Sequence, residues 1–116
     1  MTYKLTNKDF EYFKNKCGYW QNKLSLNTWE IDYYFTSEEG NMAECSTNYE
    51  GRKASIGLAK KWQTSISKKE LDRTALHEIL ELLLAPLMSL AQARVWSQDD
   101  YIKENHMVIR ILEKML

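Results

Sequence analysis

The chain contains 116 residues, and its 16 basic and 16 acidic side chains cancel to a formal net charge of zero. This length suits one domain with a substantial core, so residues 1–116 are predicted to form a single domain. The balanced charge lacks the basic footprint of a nucleic-acid-binding protein, no apolar run reaches the roughly 18 residues of a membrane-spanning helix, and the N-terminal residues are too polar for a signal peptide. We therefore expect a cytoplasmic protein that binds neither nucleic acid nor membrane.

A helix is predicted at the start of the chain. Thr6 and Asp9 have the spacing of a capping box, which closes the first turn of a helix with reciprocal hydrogen bonds. Apolar residues then recur at alternating steps of three and four, as on an amphipathic helix. These residues are Phe10, Phe13, Cys17, Trp20 and Leu24.

Three strands are predicted next. Apolar residues alternate with polar ones from Trp29 to Phe35 and again, more weakly, from Ala43 to Tyr49. A third strand, Arg52 to Ala59, follows the turn at Gly51, so we expect it to pair with the second strand as a hairpin. Small residues on one face of the third strand would let an extended peptide approach an exposed edge, although an ordinary surface strand has the same pattern.

Two helices complete the predicted elements. Ser67 and Glu70 form a second capping box, and the helix that they open is predicted to end near Ala85, because Pro86 has no N–H to donate. Ser97 is the predicted cap of a last helix. One helix, three strands and two further helices, with no repeat or linker among them, indicate the α+β class.

The two cysteines, Cys17 and Cys45, are too few for a disulfide framework and lack the paired spacing of a structural zinc site. Either thiol can in principle bind a metal or act as a nucleophile. Each nevertheless falls in an apolar pattern, so we interpret both as buried core side chains in a reduced protein.

The second helix carries the sequence His77-Glu78-Ile79-Leu80-Glu81, which places an imidazole and a carboxylate four residues apart on one face. The zinc-peptidase motif H-E-x-x-H uses these two positions as metal ligands and the Glu after the first His as general base. His77 and Glu81 are therefore candidate metal ligands, and Glu78 is the candidate catalytic base. A solvated polar helix face gives the same pattern.

A third candidate ligand lies in the last helix. His106 falls within a series of apolar residues at three- and four-residue steps, which predicts that it faces the core. A buried neutral histidine bonded to a backbone carbonyl is one interpretation. If the last two helices pack together, His77, Glu81 and His106 instead provide two imidazoles and one carboxylate, which is the composition of a catalytic zinc site with a fourth position for water.

With these motifs the chain resembles the small zincin-like metallopeptidases encoded in phages and prophages. The resemblance rests on the order of elements, on Leu-His-Glu-x-x-x-Leu-Leu-Leu-Ala-Pro-Leu in the second helix and on Glu-Asn-His-Met-Val-Ile-Arg-Ile-Leu-Glu in the last. It implies a minimal zincin-like domain, with a helix, a three-stranded sheet, an active-site helix and a C-terminal ligand helix. It also implies a Zn²⁺ cofactor and a peptide or protein substrate, with His77 as first ligand, Glu78 as general base and His106 as third ligand.

Glu81 departs from this family, whose motif has His at that position. The hypothesis that we carry forward is a zinc-dependent metallopeptidase that hydrolyses peptide bonds through a metal-bound water, with Glu81 as a ligand that also suits harder divalent ions such as manganese or iron. The alternative is a catalytically inactive zincin-like fold that acts as a phage-encoded protein-binding module or inhibitor. A third reading is an interaction domain in which His106 is an ordinary core residue.

Overall fold

Three helices and two small sheets make up the part of the chain that the computed structural model describes, residues 2–37, 40–92 and 98–115. The helices are α1 (Asn7–Lys23), α2 (Lys68–Gln92) and α3 (Gln98–Met115). The main sheet contains β2 (Glu30–Thr36), β3 (Ala43–Asn48) and β4 (Lys53–Ala59). A separate two-stranded sheet pairs β1 (Tyr3–Lys4) with β5 (Lys61–Trp62), which the sequence did not predict. The predicted α+β class is confirmed.

The main sheet has the order β2-β4-β3, with β4 parallel to β2 and antiparallel to β3. The predicted hairpin is thus confirmed, and Cys45 pairs with Ile56 across it. Of the two interpretations of the third strand, the exposed edge is wrong, because β4 lies in the centre. Its residues from Ile56 to Ala59 are all buried, which favours a strand with neighbours on both sides. Within the described residues, the edge strand next to α2 is β3.

The small residue Gly57 in β4 accommodates a neighbouring side chain rather than an approaching peptide. Gly57 pairs with Tyr34 of β2, and a Cβ atom at Gly57 would overlap the ring of Tyr34. The Tyr34 hydroxyl donates a hydrogen bond to Glu44 of β3 at 2.5 Å. The ring therefore crosses the face of the central strand and connects the two outer strands.

Helix α1 begins and packs as its sequence pattern predicts. The Asp9 N–H donates to Thr6 Oγ1 at 3.2 Å, and the Thr6 N–H donates back to the Asp9 carboxylate at 2.8 Å, which completes the capping box. Phe13, Cys17 and Leu24 have no exposed surface. The interpretation of Cys17 as a core side chain is thus consistent with the structure.

Helix α2 is the central element of the core. Its first turn has the predicted cap, because the Glu70 N–H donates to Ser67 Oγ at 3.1 Å. Tyr12 of α1 donates from its hydroxyl to Asp72 at 2.8 Å, which connects the two helices. The side chains on the opposite face are buried: Leu71, Ala75, Ile79, Leu82 and Leu83.

The predicted end of this helix at Ala85 is wrong, because α2 continues through Pro86 to Gln92. Proline removes the hydrogen bond that the Leu82 carbonyl would accept, a local cost that normally ends or kinks a helix. Leu82, Ala85 and Pro86 are nevertheless buried. Apolar packing on both sides of the proline therefore outweighs the local preference.

Among the described residues, α2 is the one helix that is long and apolar enough to cross a membrane by length and composition alone. The sequence itself contains no uninterrupted apolar run of that length, because charged residues such as Glu78 and Glu81 interrupt this helix. Core helices of globular proteins pass the same test, and the apolar side of α2 packs into the hydrophobic core of this fold.

Helix α3 is oriented differently from the prediction. Val108 is buried and Ile111 packs against the core, whereas His106 is exposed. Two residues along a helix correspond to a rotation of about 200°, so His106 lies nearly opposite Val108. The prediction that His106 faces the core is therefore wrong. The predicted cap of α3, Ser97, lies outside the described residues.

Candidate functional site

A cleft of about 630 Å³ lies between α2 and the residues at the start of β3. Six of its lining residues are polar side chains of α2, which together form the polar face of that helix: Glu70, Arg73, Thr74, His77, Glu78 and Glu81. The opposite wall comes from Asn41, Met42, Ala43, Glu44 and Cys45. The polar face of α2 therefore faces a strand across a cleft.

Glu78 has the most unusual environment of the cleft residues. Its side chain is 4% exposed, and its Oε2 atom is buried without a hydrogen-bond partner in the described structure. Burial raises the pKa of Glu78 to about 7, and the nearby carboxylates of Glu81 and Glu44 act in the same direction. A carboxyl group that titrates near neutral pH can both accept and release a proton under cellular conditions.

His77 and Glu81 lie at the mouth of the cleft. The His77 Nε2 atom is 3.8 Å from Glu81 Oε1, as expected for residues four apart on one helix. Both side chains are exposed, so their positions can adjust without disturbing the core. The structure thus brings these two predicted site residues together, next to the buried Glu78.

Cys45 is a member of the site that the sequence interpretation missed. One atom from each of Cys45, Glu78 and Glu81 belongs to a group whose atoms all lie within 4.8 Å of one another. Burial raises the pKa of the Cys45 thiol to about 12, and the carboxylates of Glu81 and Glu78 contribute further. The interpretation of Cys45 as a core side chain is confirmed only in part, because the side chain packs against the core but is half-buried and also borders the cleft.

His106 lies outside this group. Its side chain is exposed on α3, and the cluster found within the described residues is formed by Cys45, Glu78 and Glu81. The contact from α3 toward the sheet comes instead from Glu104, whose carboxylate accepts a hydrogen bond from the Tyr49 hydroxyl at 3.3 Å. The structure therefore brings together two of the three ligands predicted from sequence.

A second cleft of about 1090 Å³ continues from the first along β3. The two share Cys45, His77 and Glu81, and together they form a trough beside the edge strand. The helix side of the second cleft is mainly apolar, with Leu80, Leu84, Ala85 and Met88. The trough thus combines an acidic centre with an apolar extension.

Comparison with protein-family models finds no match, and comparisons with curated proteins and with solved structures find none either. The chemistry of the trough is therefore the basis for a functional assignment. The fold and site together define an α+β protein in which a buried carboxyl group lies beside a thiol and a second carboxylate, and an imidazole lies beside that second carboxylate.

Proposed function

We propose that this protein is a cytoplasmic, zincin-like peptidase that depends on a divalent metal ion, preferably Zn²⁺. The supporting observation is the buried Oε2 atom of Glu78, which has no hydrogen-bond partner in the described structure and belongs to a cleft between α2 and the start of the edge strand β3. His77 precedes Glu78 in the chain, and Glu81 lies close to it. An unpartnered buried polar atom costs free energy unless a ligand or ion compensates for it. Its position in a cleft, rather than in the sealed core, points to function.

The residues around Glu78 suit a divalent cation. Imidazole and carboxylate groups are common zinc ligands, and carboxylates also bind manganese and iron. His77 and Glu81 supply one of each, with their ligand atoms 3.8 Å apart. When bound here, a divalent ion would supply Lewis acidity, which lowers the pKa of water and polarises a peptide carbonyl.

Residues of the cleft would carry out proton transfer and substrate binding. Glu78 accepts the proton of the attacking water and passes it to the departing amine, so that the peptide bond is replaced by a carboxyl group and an amino group. The backbone of β3 binds the substrate as an additional antiparallel strand through main-chain hydrogen bonds. The apolar side chains of Leu84 and Met88, both exposed, would contact apolar substrate residues farther along the trough.

The second candidate function is an inactive zincin-like module that binds a host protein. The placement of His106 away from the cleft favours it, because α3 then contributes no imidazole to the site. In that case the trough along β3 holds a partner segment without cleaving it. Hydrolysis distinguishes the two functions.

We predict that the protein cleaves members of an extended-peptide library after loading with Zn²⁺, and that a chelator stops cleavage until metal is restored. His77→Ala and Glu81→Ala should each lower the rate at least about 100-fold, because each removes a ligand. His106→Ala tests the ligand role predicted from sequence, and we expect it to retain the parent rate. Mass spectrometry of the digests measures cleavage. Absence of cleavage with zinc, manganese or iron would support the inactive module.

A further inference from the structure

We propose that Cys45 is a metal ligand, so that its thiolate from β3 completes, with His77 and Glu81 of α2, the protein ligands of one divalent cation. This inference rests on the proposed function, since it assigns a ligand to the same site. It replaces the ligand expected from the last helix with one from the sheet. The predicted donor set is one sulfur, one nitrogen and one carboxylate oxygen.

The distances support this assignment. The ligand atoms of Cys45, Glu78 and Glu81 all lie within 4.8 Å of one another, and His77 Nε2 is 3.8 Å from Glu81 Oε1. Zinc binds sulfur at about 2.3 Å and oxygen at about 2.0–2.2 Å, which places two ligands of one tetrahedral ion roughly 3.5 Å apart. Glu81 thus lies close both to the thiol and to the imidazole, and assembly of the site requires a rotation of the exposed His77 side chain, which lies outside the group of Cys45, Glu78 and Glu81.

A second observation independently indicates a ligand at this place. Glu78 is 4% exposed, lines the same cleft and has an Oε2 atom without a hydrogen-bond partner in the described residues. The buried Glu78 side chain lies beside a second carboxylate and a thiol, so negative charge on any one of these groups is disfavoured by its neighbours. A cation bound among these groups would offset that repulsion.

The position of Cys45 is fixed by the sheet. Cys45 pairs with Ile56 of the central strand, and the neighbouring Glu44 accepts the hydrogen bond from Tyr34. A ligand on a paired strand is held more rigidly than one on a loop, which reduces the entropy lost on metal binding. Because thiolate is a soft ligand, Cys45 should also shift the metal preference from manganese toward zinc.

Cobalt binding by the full chain tests this inference without relying on activity. Co²⁺ bound to a thiolate gives a near-ultraviolet sulfur-to-metal charge-transfer band, which carboxylate and imidazole ligands do not produce. We expect the band in the parent and in Cys17→Ala, which removes the core thiol. Cys45→Ser should lack the band and bind Co²⁺ at least about tenfold more weakly. Moving the thiol to the other face of β3, with Cys45→Ser and Ser46→Cys together, should not restore it.

Metal protection provides a second measurement if Cys17→Ala does not fold. Zn²⁺ should slow alkylation of Cys45 by iodoacetamide in the parent, as measured by peptide mapping. An unchanged alkylation rate under saturating zinc, or a Cys45→Ser variant with the parent affinity for Co²⁺, would overturn the ligand role of Cys45. Zinc-dependent hydrolysis that persists in Cys45→Ser would then leave the proposed peptidase intact. If the parent protein itself shows no zinc-dependent hydrolysis, that result would instead count against the proposed function.

Discussion

Glu78→Gln is expected to lower kcat for peptide hydrolysis by about 10²–10⁴-fold while the metal ion stays bound. The substitution keeps the shape of the side chain but removes the group that accepts a proton from water. Steady-state kinetics on a cleaved library peptide measure the change in kcat, and the metal content of the same sample shows whether the ion stays bound. Glu113→Gln, which changes an exposed carboxylate on α3, is the matched control. A Glu78→Gln variant as active as the parent would remove Glu78 from the mechanism.

The same variant should also change the pH dependence of stability in the metal-free protein. The pKa of Glu78 is raised from 4.5 to about 7, so the folded state binds this proton more tightly than the unfolded state does. Its contribution is therefore fully present below about pH 4.5 and is lost as the pH rises through 7. At pH 8 we expect Glu78→Gln to be more stable than the parent by on the order of 2 kcal/mol. Urea unfolding with chelator at pH 5 and pH 8 measures this, and an equal difference at both pH values would contradict it.

Trp62→Ala is expected to have the largest effect on stability, with a loss of about 3–5 kcal/mol. Trp62 is 1% exposed, pairs with Tyr3 in the small sheet and donates from its indole N–H to the Met42 carbonyl at 3.1 Å. The truncation leaves a large cavity and removes the bond that fixes the chain just before β3. Because Met42 lines the cleft, substrate binding should weaken as well.

Comparison of the urea midpoints of Trp62→Ala and Trp62→Phe separates the contribution of apolar packing from that of the indole hydrogen bond. Phenylalanine keeps most of the apolar volume and loses only the indole hydrogen bond and part of the ring, so we expect a loss of about 1–2 kcal/mol. Equal losses in the two variants would show that the hydrogen bond to Met42, rather than packing, supplies the stabilisation. A loss below about 1 kcal/mol in Trp62→Ala would contradict the assignment of this side chain to the core.

The elements that the sequence predicts well are those with a strong local pattern. Thr6 with Asp9 starts α1, and alternation locates β2 and β3 to within a residue or two. The polar face of α2 that includes His77, Glu78 and Glu81 follows from helix geometry alone. Capping and periodicity depend on neighbours a few residues apart, so they can be read without knowledge of the tertiary structure.

The strand order could not be obtained in the same way. Pairing of β4 with β2 is parallel and joins strands that are separated by β3, so no turn motif indicates it. The buried run in β4 is typical of a central strand, but small residues such as Gly57 obscured it. Because β4 was interpreted as the exposed edge, Cys45 was not predicted to border the cleft. It does so because β3, and not β4, lies beside α2.

The orientation of α3 depended on a choice between two apolar stripes. One contains Ile102, His106 and Ile109, and the other contains Val108 and Ile111. Periodicity supports both, and only packing against α2 selects the second. A proline ends a helix reliably only where burial does not compensate for the lost hydrogen bond, and Pro86 lies where burial does compensate.

Elemental analysis of the untagged protein, purified without chelators and compared with Glu81→Ala, tests the central claim most directly. We predict about one equivalent of zinc in the parent and loss of most of it in the variant, because metal affinity depends on the full set of ligands. Absence of bound metal in the parent, with no rise in Tm when zinc is added, would contradict the metal site and favour a protein-binding module.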